Sequence, residues 1–227
     1  MAASPPEIHV VGDPSSAIGD LLAEQAHRGG SIVLTGGSSV DRAYRRAAER
    51  TPDWSHVALW WGDERCVPPD DKLSNYRLAK ESLLDRLEAG PREEHRIRGE
   101  LEPVRAAAEL DQALDGAVLD FLLLGLGPDG HVASLFPGSP QLGVDDRRAV
   151  SGPAGFEPFV ERVTMTMPTL QSARRIVFVV AGEEKADAVA RAFGGDVSEE
   201  VPASLVRLAP VPVEVYLDAP AAARLDR

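Results

Sequence analysis

The chain of 227 residues has little cysteine and no long hydrophobic run. Its single cysteine, Cys66, excludes a disulfide bond within the chain. The longest apolar runs fall far short of the ~20 residues that a membrane-spanning helix needs, so we expect no membrane anchor. Residues 1–6 lack the basic and apolar regions of a secretory signal, and we therefore expect a cytoplasmic protein.

Basic residues are also scarce relative to acidic ones. The chain has 24 Lys and Arg against 36 Asp and Glu, which gives a formal net charge of −12. This balance argues against nucleic acid or an anionic membrane surface as a partner. A small phosphorylated ligand stays possible, because it responds to a few nearby groups and salt screens charges beyond ~8 Å.

Short apolar runs alternate with segments of helical periodicity along the chain. The runs that we predict as strands are residues 8–11, 32–35, 57–61, 118–124, 176–180 and 213–217. The segments that we predict as helices are residues 15–27, 40–50, 76–87, 104–114 and 183–193. Such alternation is typical of an α/β fold in which helices cover both faces of a parallel or mixed sheet. Because no repeat or linker divides the chain, we predict a single domain over residues 1–227.

Two segments do not follow this alternation. Residues 137–159 are rich in Gly, Pro and Asp, and a long loop in a compact domain is more often a functional flap than a packed element. We therefore predict a flap with a mobile tip. Residues 162–168 alternate in polarity and end at a proline, which favours a further strand near the edge of the sheet.

A glycine-rich segment follows the strand predicted at residues 118–124. Its spacing, Gly125-x-Gly127-x-x-Gly130, matches the dinucleotide-binding fingerprint when it is read alone. That fingerprint needs a long helix next, whereas Pro137-Gly138 leaves room only for a helix over residues 132–136. It also needs an acidic residue at the end of a second strand, and no apolar run precedes the acidic residues near the required position. The surrounding sequence thus argues against a nucleotide cofactor.

The same segment places Asp129 and His131 in a turn at the end of a strand, where open α/β sheets bind their ligands. Its glycines, Gly130 among them, allow backbone N–H groups to approach an anion while Asp129 and His131 face the crevice. The other histidines are His9, His27, His56 and His95. They lack such a setting and are interpreted as structural or solvated, whereas His131 is the candidate acid–base group.

A second candidate binding element follows the strand at residues 32–35. Gly36 and Gly37 expose backbone N–H groups, Ser38 and Ser39 offer hydroxyls, and the helix that begins next adds partial positive charge. A phosphate suits this arrangement. The alternative is a tight turn with a serine that caps the helix.

Charged residues also stand directly after the strand at residues 57–61. Arg65 could hold a phosphate or a sugar oxygen, and Asp63 or Glu64 could orient it or accept hydrogen bonds from hydroxyls. A salt bridge that braces the loop is the alternative.

Two further residues are candidates for ligand contact. Asn75 begins the next helix and either contacts a ligand or caps that helix. Lys185 lies where a helix begins after the strand at 176–180, and it either reaches the crevice or is an ordinary surface lysine. His, Cys and carboxylate residues show no metal-ligand spacing, and neither a nucleophile elbow nor a Walker lysine is present, so we expect neither a metal nor an acyl-serine mechanism.

Together these motifs resemble the 6-phosphogluconolactonase family, a branch of the sugar-phosphate isomerase/deaminase group. The motifs that carry the resemblance are residues 35–39, 61–65 with 67–69, 74–76, 125–131 with 133–138, 162–168 and 182–185. The resemblance implies a Rossmann-like fold with a mostly parallel sheet flanked by helices. Residues 152–159 depart from the family, because they lack its usual lysine- and proline-rich approach to the next strand.

The resemblance implies hydrolysis of 6-phospho-D-glucono-1,5-lactone without a cofactor. In this scheme His131 activates water and Asp129 orients the imidazole. The backbone N–H groups of the glycine turns stabilise the oxyanion. Substrate contacts are expected from Gly36, Gly37, Ser38, Ser39, Asp63, Arg65, Asn75, Gly130 and Lys185.

Two alternatives stay open from the sequence. One is an isomerase or deaminase similar to glucosamine-6-phosphate deaminase, which shares the Asp-Gly-His turn. That enzyme carries a glutamate where this chain has Phe136 and a tyrosine where it has Arg65. The other alternative is a sugar-phosphate sensor without catalytic activity.

Overall fold

The computed structural model describes residues 4–37 and 39–225, so that Ser38 lies outside the described residues. The strands are β1 (Glu7–Val10), β2 (Gly30–Leu34), β3 (Val57–Trp61), β4 (Asp63–Arg65), β5 (Glu93–His95), β6 (Phe121–Leu124), β7 (Ala149–Gly152), β8 (Arg162–Met165), β9 (Ile176–Val180) and β10 (Val213–Leu217). The α-helices are α1 (Pro14–Arg28), α2 (Asp41–Arg50), α3 (Asn75–Ser82), α4 (Pro103–Ala113), α5 (Met167–Gln171), α6 (Ala186–Val189) and α7 (Pro202–Leu205).

The main sheet has the strand order β1-β10-β9-β6-β2-β3-β5 in the described part of the chain, and all of its pairings are parallel. Strands β2, β3, β6 and β9 are buried along nearly their whole length, as expected for strands with helices on both faces. The prediction of an α/β fold with a mostly parallel sheet is therefore confirmed.

The connections leave β2 and β6 in opposite directions. From β2 the chain continues to β3 and β5, whereas from β6 the sheet continues to β9 and β10 on the other side. The loops that follow two such neighbouring strands separate and leave a crevice at their carboxyl ends. The turns after β2 and β6 are the two glycine-rich segments that the sequence predicts to bind a ligand.

A smaller antiparallel sheet, β4-β8-β7, stands beyond the carboxyl end of β3. The predicted strand at residues 162–168 exists over Arg162–Met165, but it is the middle strand of this small sheet rather than a neighbour of the main-sheet edge. The interpretation of residues 137–159 as one long loop is partly wrong. They include a 3₁₀ turn at Pro140–Gly143 and strand β7, which the pairing with β8 stabilises.

Two of the predicted helices are interrupted. The segment at residues 76–87 is α3 followed by a 3₁₀ turn at Leu84–Arg86. The segment at 183–193 begins as a 3₁₀ turn at Glu183–Lys185, continues through α6 and ends in a π-helical turn at Ala190–Gly194. Turns of the π type cluster at functional sites.

One continuous cluster of buried hydrophobic side chains links the two sheets, since Val163 and Met165 of β8 pack in the same core as the main-sheet strands. This continuity supports a single domain, which stays a prediction for the whole chain. No helix in residues 4–37 and 39–225 is long and apolar enough to cross a membrane.

Candidate active site

A cavity of about 410 Å³ opens at the carboxyl ends of the central strands. Its walls come from the turns after β2 and β6, from strand β4, from the start of α3, from the turn after β9 and from the segment before β8. The lining residues are Thr35, Gly36, Gly37, Asp63, Arg65, Asn75, Gly125, Leu126, Gly127, Pro128, His131, Ala133, Phe156, Glu157 and Lys185.

His131 is held by Asp129 in a tight turn. The Asp129 Oδ1 atom lies 2.6 Å from Nδ1 of the imidazole and also accepts the backbone N–H of His131 at 3.1 Å. Burial alone would raise the pKa of the Asp129 carboxyl, but the hydrogen bond and charge of His131 outweigh it and lower that pKa. An ionised Asp129 can only accept, so Nδ1 carries a proton, and in the neutral form of the imidazole the free lone pair is then on Nε2.

Gly127 makes room for this pair. A Cβ atom at Gly127 would lie 2.0 Å from His131 Nδ1, closer than any contact between non-bonded atoms allows.

The turn that follows is not the short helix that residues 132–136 could have formed. Val132 and Leu135 form an isolated antiparallel bridge, and Ala133 has a φ of 50°.

Two backbone N–H groups of this turn donate hydrogen bonds within the turn itself. Gly127 donates to His131 O at 2.9 Å and Gly130 donates to Gly127 O at 3.0 Å. The expectation that the glycine turns supply oxyanion donors is therefore wrong for these two groups. They instead fix the turn, and Arg191 of the π-helical turn adds a 2.7 Å hydrogen bond to the Asp129 carbonyl.

Aromatic rings flank the imidazole. Phe136 packs with its ring centroid 4.7 Å from that of His131, and Phe156 lies at 6.0 Å. Phe136 is buried, whereas Phe156 is 40% exposed and forms part of the cavity wall with Glu157. The sequence predicted a flap around residues 137–159 but gave no reason to select Phe156 or Glu157 within it.

Asp63 is buried and connects two sides of the cavity. Its Oδ2 accepts from the Ser134 hydroxyl at 2.6 Å, and its Oδ1 accepts from Asn75 Nδ2 at 3.3 Å. Ser134 belongs to the turn after His131, so this contact joins that turn to β4. Sequence reasoning assigned no separate role to Ser134, because a serine followed by apolar residues carries no distinctive signal.

Glu64 is also buried, and it binds the start of α3. One carboxylate oxygen accepts the N–H groups of Arg65 at 2.8 Å and Asn75 at 2.7 Å, and the other accepts from the Ser74 hydroxyl at 3.0 Å and the Tyr76 N–H at 2.8 Å. Burial raises the pKa of the Glu64 carboxyl, and these donors oppose the rise because they favour the charged form. The alternative from the sequence, an Asp–Arg salt bridge, is not among the ion pairs of the described residues, since the Asp63 carboxylate accepts from Ser134 and Asn75.

Three cations around the cavity donate hydrogen bonds to neutral carbonyl groups. Arg65 donates to Leu73 O at 2.5 Å, and Lys185 donates to Leu126 O at 3.0 Å. Arg162, which pairs with Arg65 in the small sheet, is almost fully buried and donates to Pro158 O and Val160 O. Burial lowers the pKa of Lys185. None of these hydrogen bonds goes to a carboxylate, so the cations stay available to bind an anion, although Asp63 and Glu157 also line the cavity.

The turn after β2 lies opposite Lys185. The Tyr44 hydroxyl of α2 anchors it by donating to Thr35 O at 2.6 Å and accepting from Thr35 N at 3.1 Å. Gly36, Gly37 and Lys185 line both the main cavity and an adjoining recess of about 130 Å³, which Ser39 also lines. A recess bounded by a glycine turn, a helix start and a lysine suits a phosphate group.

Most of the predicted site residues surround this cavity. The predicted residues that line it are Gly36, Gly37, Asp63, Arg65, Asn75, His131 and Lys185. Ser39 lines only the adjoining recess, and Asp129 stands behind His131. Gly130 has a φ of 98° and a Cβ there would meet Val201, so its part is conformational rather than a contact in the cavity wall. Ser38 lies outside the described residues.

Comparison with known proteins gives one consistent result. A family model described as glucosamine-6-phosphate isomerases/6-phosphogluconolactonase matches residues 15–213. The 6-phosphogluconolactonase of Mycobacterium leprae is 38% identical over an alignment that covers 76% of each chain. The probable 6-phosphogluconolactonase 1 of Arabidopsis thaliana is 34% identical over an alignment that covers 92% of this chain and 88% of the relative.

Solved structures agree with this. The 6-phosphogluconolactonase from Trypanosoma brucei superposes with a TM-score of 0.83 at 27% identity and covers 99% of this chain and 100% of its own. A monomeric glucosamine-6-phosphate deaminase, at 21% identity, gives a TM-score of 0.84 and shares the fold.

The contacts of Glu64 predict a large effect on stability. We expect Glu64→Gln to lower the free energy of unfolding by about 3 kcal/mol, because its amide would set an NH₂ group against N–H and O–H donors. Glu199→Gln, at an exposed position, is the control and should change it by less than ~0.5 kcal/mol. Urea unfolding followed by circular dichroism measures both, and equal values would contradict the assignment.

Proposed function

The chain belongs to the family of glucosamine-6-phosphate isomerases and 6-phosphogluconolactonases, and we propose that it hydrolyses 6-phospho-D-glucono-1,5-lactone to 6-phosphogluconate. This is the second step of the oxidative pentose phosphate pathway. The observation that carries the proposal is the 2.6 Å contact between Asp129 and Nδ1 of His131, at a cavity that also holds Lys185 and Arg65. One wall supplies a base, and the others supply charge for a phosphate.

In the proposed reaction, Nε2 of neutral His131 takes a proton from a water molecule that attacks C1 of the lactone. The new C1–O bond gives a tetrahedral oxyanion, which collapses with cleavage of the bond between C1 and the ring oxygen. His131 then returns the proton to the ring oxygen. Asp129 keeps the proton on Nδ1 throughout and stabilises the transient imidazolium.

The phosphate is assigned to the recess between Gly36, Gly37 and Lys185. The recess adjoins the cavity that contains His131, so a substrate can reach from one to the other. Binding energy at the phosphate then positions the lactone carbonyl near Nε2, which lowers the barrier without further chemistry. The scheme uses neither a metal nor an organic cofactor. A cytoplasmic location and the absence of a nucleic-acid partner stay predictions from the sequence.

The proposed function is tested by acid release from freshly made 6-phosphogluconolactone, corrected for spontaneous hydrolysis. We expect proton release well above the spontaneous rate, with equal rates in the presence and absence of a chelator. Ammonia release from glucosamine 6-phosphate would instead indicate a deaminase, and binding of 6-phosphogluconate without lactone hydrolysis would indicate a sensor. Either result would overturn the proposal.

Replacement of His131 tests the assignment of the base. His131→Ala should lower kcat by ~10²-fold or more and leave KM nearly unchanged, because the group acts mainly in the transition state. His27→Ala, at an exposed position at the end of α1, is the control and should retain full activity. Turnover by His131→Ala close to that of the unmodified protein would remove His131 from this role.

Replacement of Lys185 and Arg65 tests the anion-binding walls. Lys185→Ala and Arg65→Ala should each raise KM by about 10-fold or more, with a smaller effect on kcat. Lys185 lines the recess assigned to the phosphate and Arg65 lines the cavity beside it, so each substitution removes a positive charge that attracts the phosphate. Lys80→Ala removes a charge from the exposed face of α3 and should leave KM unchanged. If Arg65→Ala changed only kcat, Arg65 would instead serve the reacting end.

A further inference from the structure

The side chain of Asn75 offers a hydrogen-bond acceptor that no described residue uses. Asn75 is 2% exposed and lines the cavity. Within residues 4–37 and 39–225, its Oδ1 atom is buried and has no hydrogen-bond partner. Buried polar side-chain atoms in folded proteins nearly always have a partner. Because Asn75 lines the cavity, this unpaired acceptor indicates a ligand that donates a hydrogen bond, for which the turn at Gly36 that covers Oδ1 has to move aside.

The orientation of the amide follows from its other contacts. Asn75 Nδ2 lies 2.9 Å from the backbone oxygen of Asp63 and 3.3 Å from its Oδ1. The reversed orientation would set the amide oxygen against two acceptors and leave the NH₂ group without them. The Glu64 carboxylate fixes the backbone of Asn75 through its N–H. Both ends of the residue are thus held, and the acceptor occupies a defined place.

That place is beside the turn to which the phosphate is assigned. A Cβ atom built on Gly36 would lie 1.9 Å from Asn75 Oδ1, so the amide oxygen lies directly against Gly36. An amide oxygen repels the unprotonated oxygen atoms of a phosphate. The donor that suits Asn75 is therefore a hydroxyl group of the ligand close to its phosphate.

The chemistry of the substrate selects one such hydroxyl. In a 1,5-lactone that carries its phosphate on C6, the oxygen on C5 is the ring ester oxygen and has no hydrogen. The hydroxyl nearest to the phosphate is then the one on C4. We propose that Asn75 Oδ1 accepts a hydrogen bond from the C4 hydroxyl and thereby selects the gluco over the galacto configuration, an inference that rests on the proposed function.

The experiment compares two lactones that differ only at C4. Values of kcat/KM are measured with fresh 6-phosphogluconolactone and with its C4 epimer, 6-phosphogalactonolactone, each corrected for spontaneous hydrolysis. The unmodified protein should prefer the gluco substrate by about 10-fold or more. Asn75→Ala should bring the ratio close to 1, mainly through a loss on the gluco substrate. A ratio that Asn75→Ala leaves unchanged would overturn the proposal.

Ser74→Ala is the matched control. Ser74 precedes Asn75, is 3% exposed and binds the same Glu64 carboxylate, but it does not belong to the described lining of the cavity. It also caps α3 by accepting the Arg77 N–H at 3.1 Å. Its loss should therefore weaken the start of α3 while the preference for the gluco substrate is retained. An equal loss of preference in both variants would show a structural effect and overturn the proposal.

A second measurement avoids the risk that Asn75→Ala does not fold. The unmodified protein is assayed with the 4-deoxy lactone, whose kcat/KM should be about 10-fold below that of the parent lactone. Equal values would overturn the proposal. If the protein hydrolyses the gluco lactone without preference at C4, only this inference fails. If it hydrolyses none of the lactones, the proposed function itself fails.

Discussion

The contact on which the candidate site depends is the buried carboxylate of Glu64 at the start of α3. It accepts the N–H groups of Arg65, Asn75 and Tyr76 and the hydroxyl of Ser74, so one side chain joins β4 to the helix. Such a carboxylate is favourable at a helix N-terminus, where the N–H groups have no partner within the helix. Because Glu64 already accepts four hydrogen bonds, its carboxylate is unavailable to the guanidinium of Arg65. The guanidinium of Arg65 is therefore left to face the cavity.

A second set of contacts connects the start of α3 to the turn that holds His131. Asp63 joins Asn75 to Ser134, and Ser134 follows His131 in a turn that its own backbone hydrogen bonds close. The imidazole and the anion-binding wall thus belong to one connected network, although they come from strands at different places in the sheet. The net charge of −12 does not oppose an anionic substrate here. The nearby cations donate to carbonyl groups, and distant surface carboxylates are screened by salt.

The sequence predicted the central strands, because their hydrophobic pattern can be recognised within each segment alone. The strands at residues 57–61, 176–180 and 213–217 match the structure to the residue, because each is a short segment rich in apolar residues of high strand propensity. The short strands β5 and β7 were missed, since Glu93–His95 is polar and Ala149–Gly152 depends on pairing with β8 for its stability. Glu64 was one of two candidate carboxylates in a charged cluster. Only their contacts distinguish them, since Glu64 accepts backbone N–H groups at the start of α3 and Asp63 accepts from the side chains of Asn75 and Ser134. The wall formed by Phe156 also depends on contacts that lie far apart in the sequence.

Phe136 gives a physical reason why the shared Asp-Gly-His turn can serve lactone hydrolysis. Its ring packs against His131, and the backbone of Gly155 closes over it, because a Cβ at Gly155 would lie 2.7 Å from Phe136 Cβ. A carboxylate at that position would offer the imidazole a second charged partner, whereas a phenyl ring offers none. Asp129 is then the described carboxylate that binds the ring, and it does so at Nδ1. A histidine held in this way can take a proton from water at Nε2 and return it to the leaving oxygen, and these are the two proton transfers that opening a lactone requires.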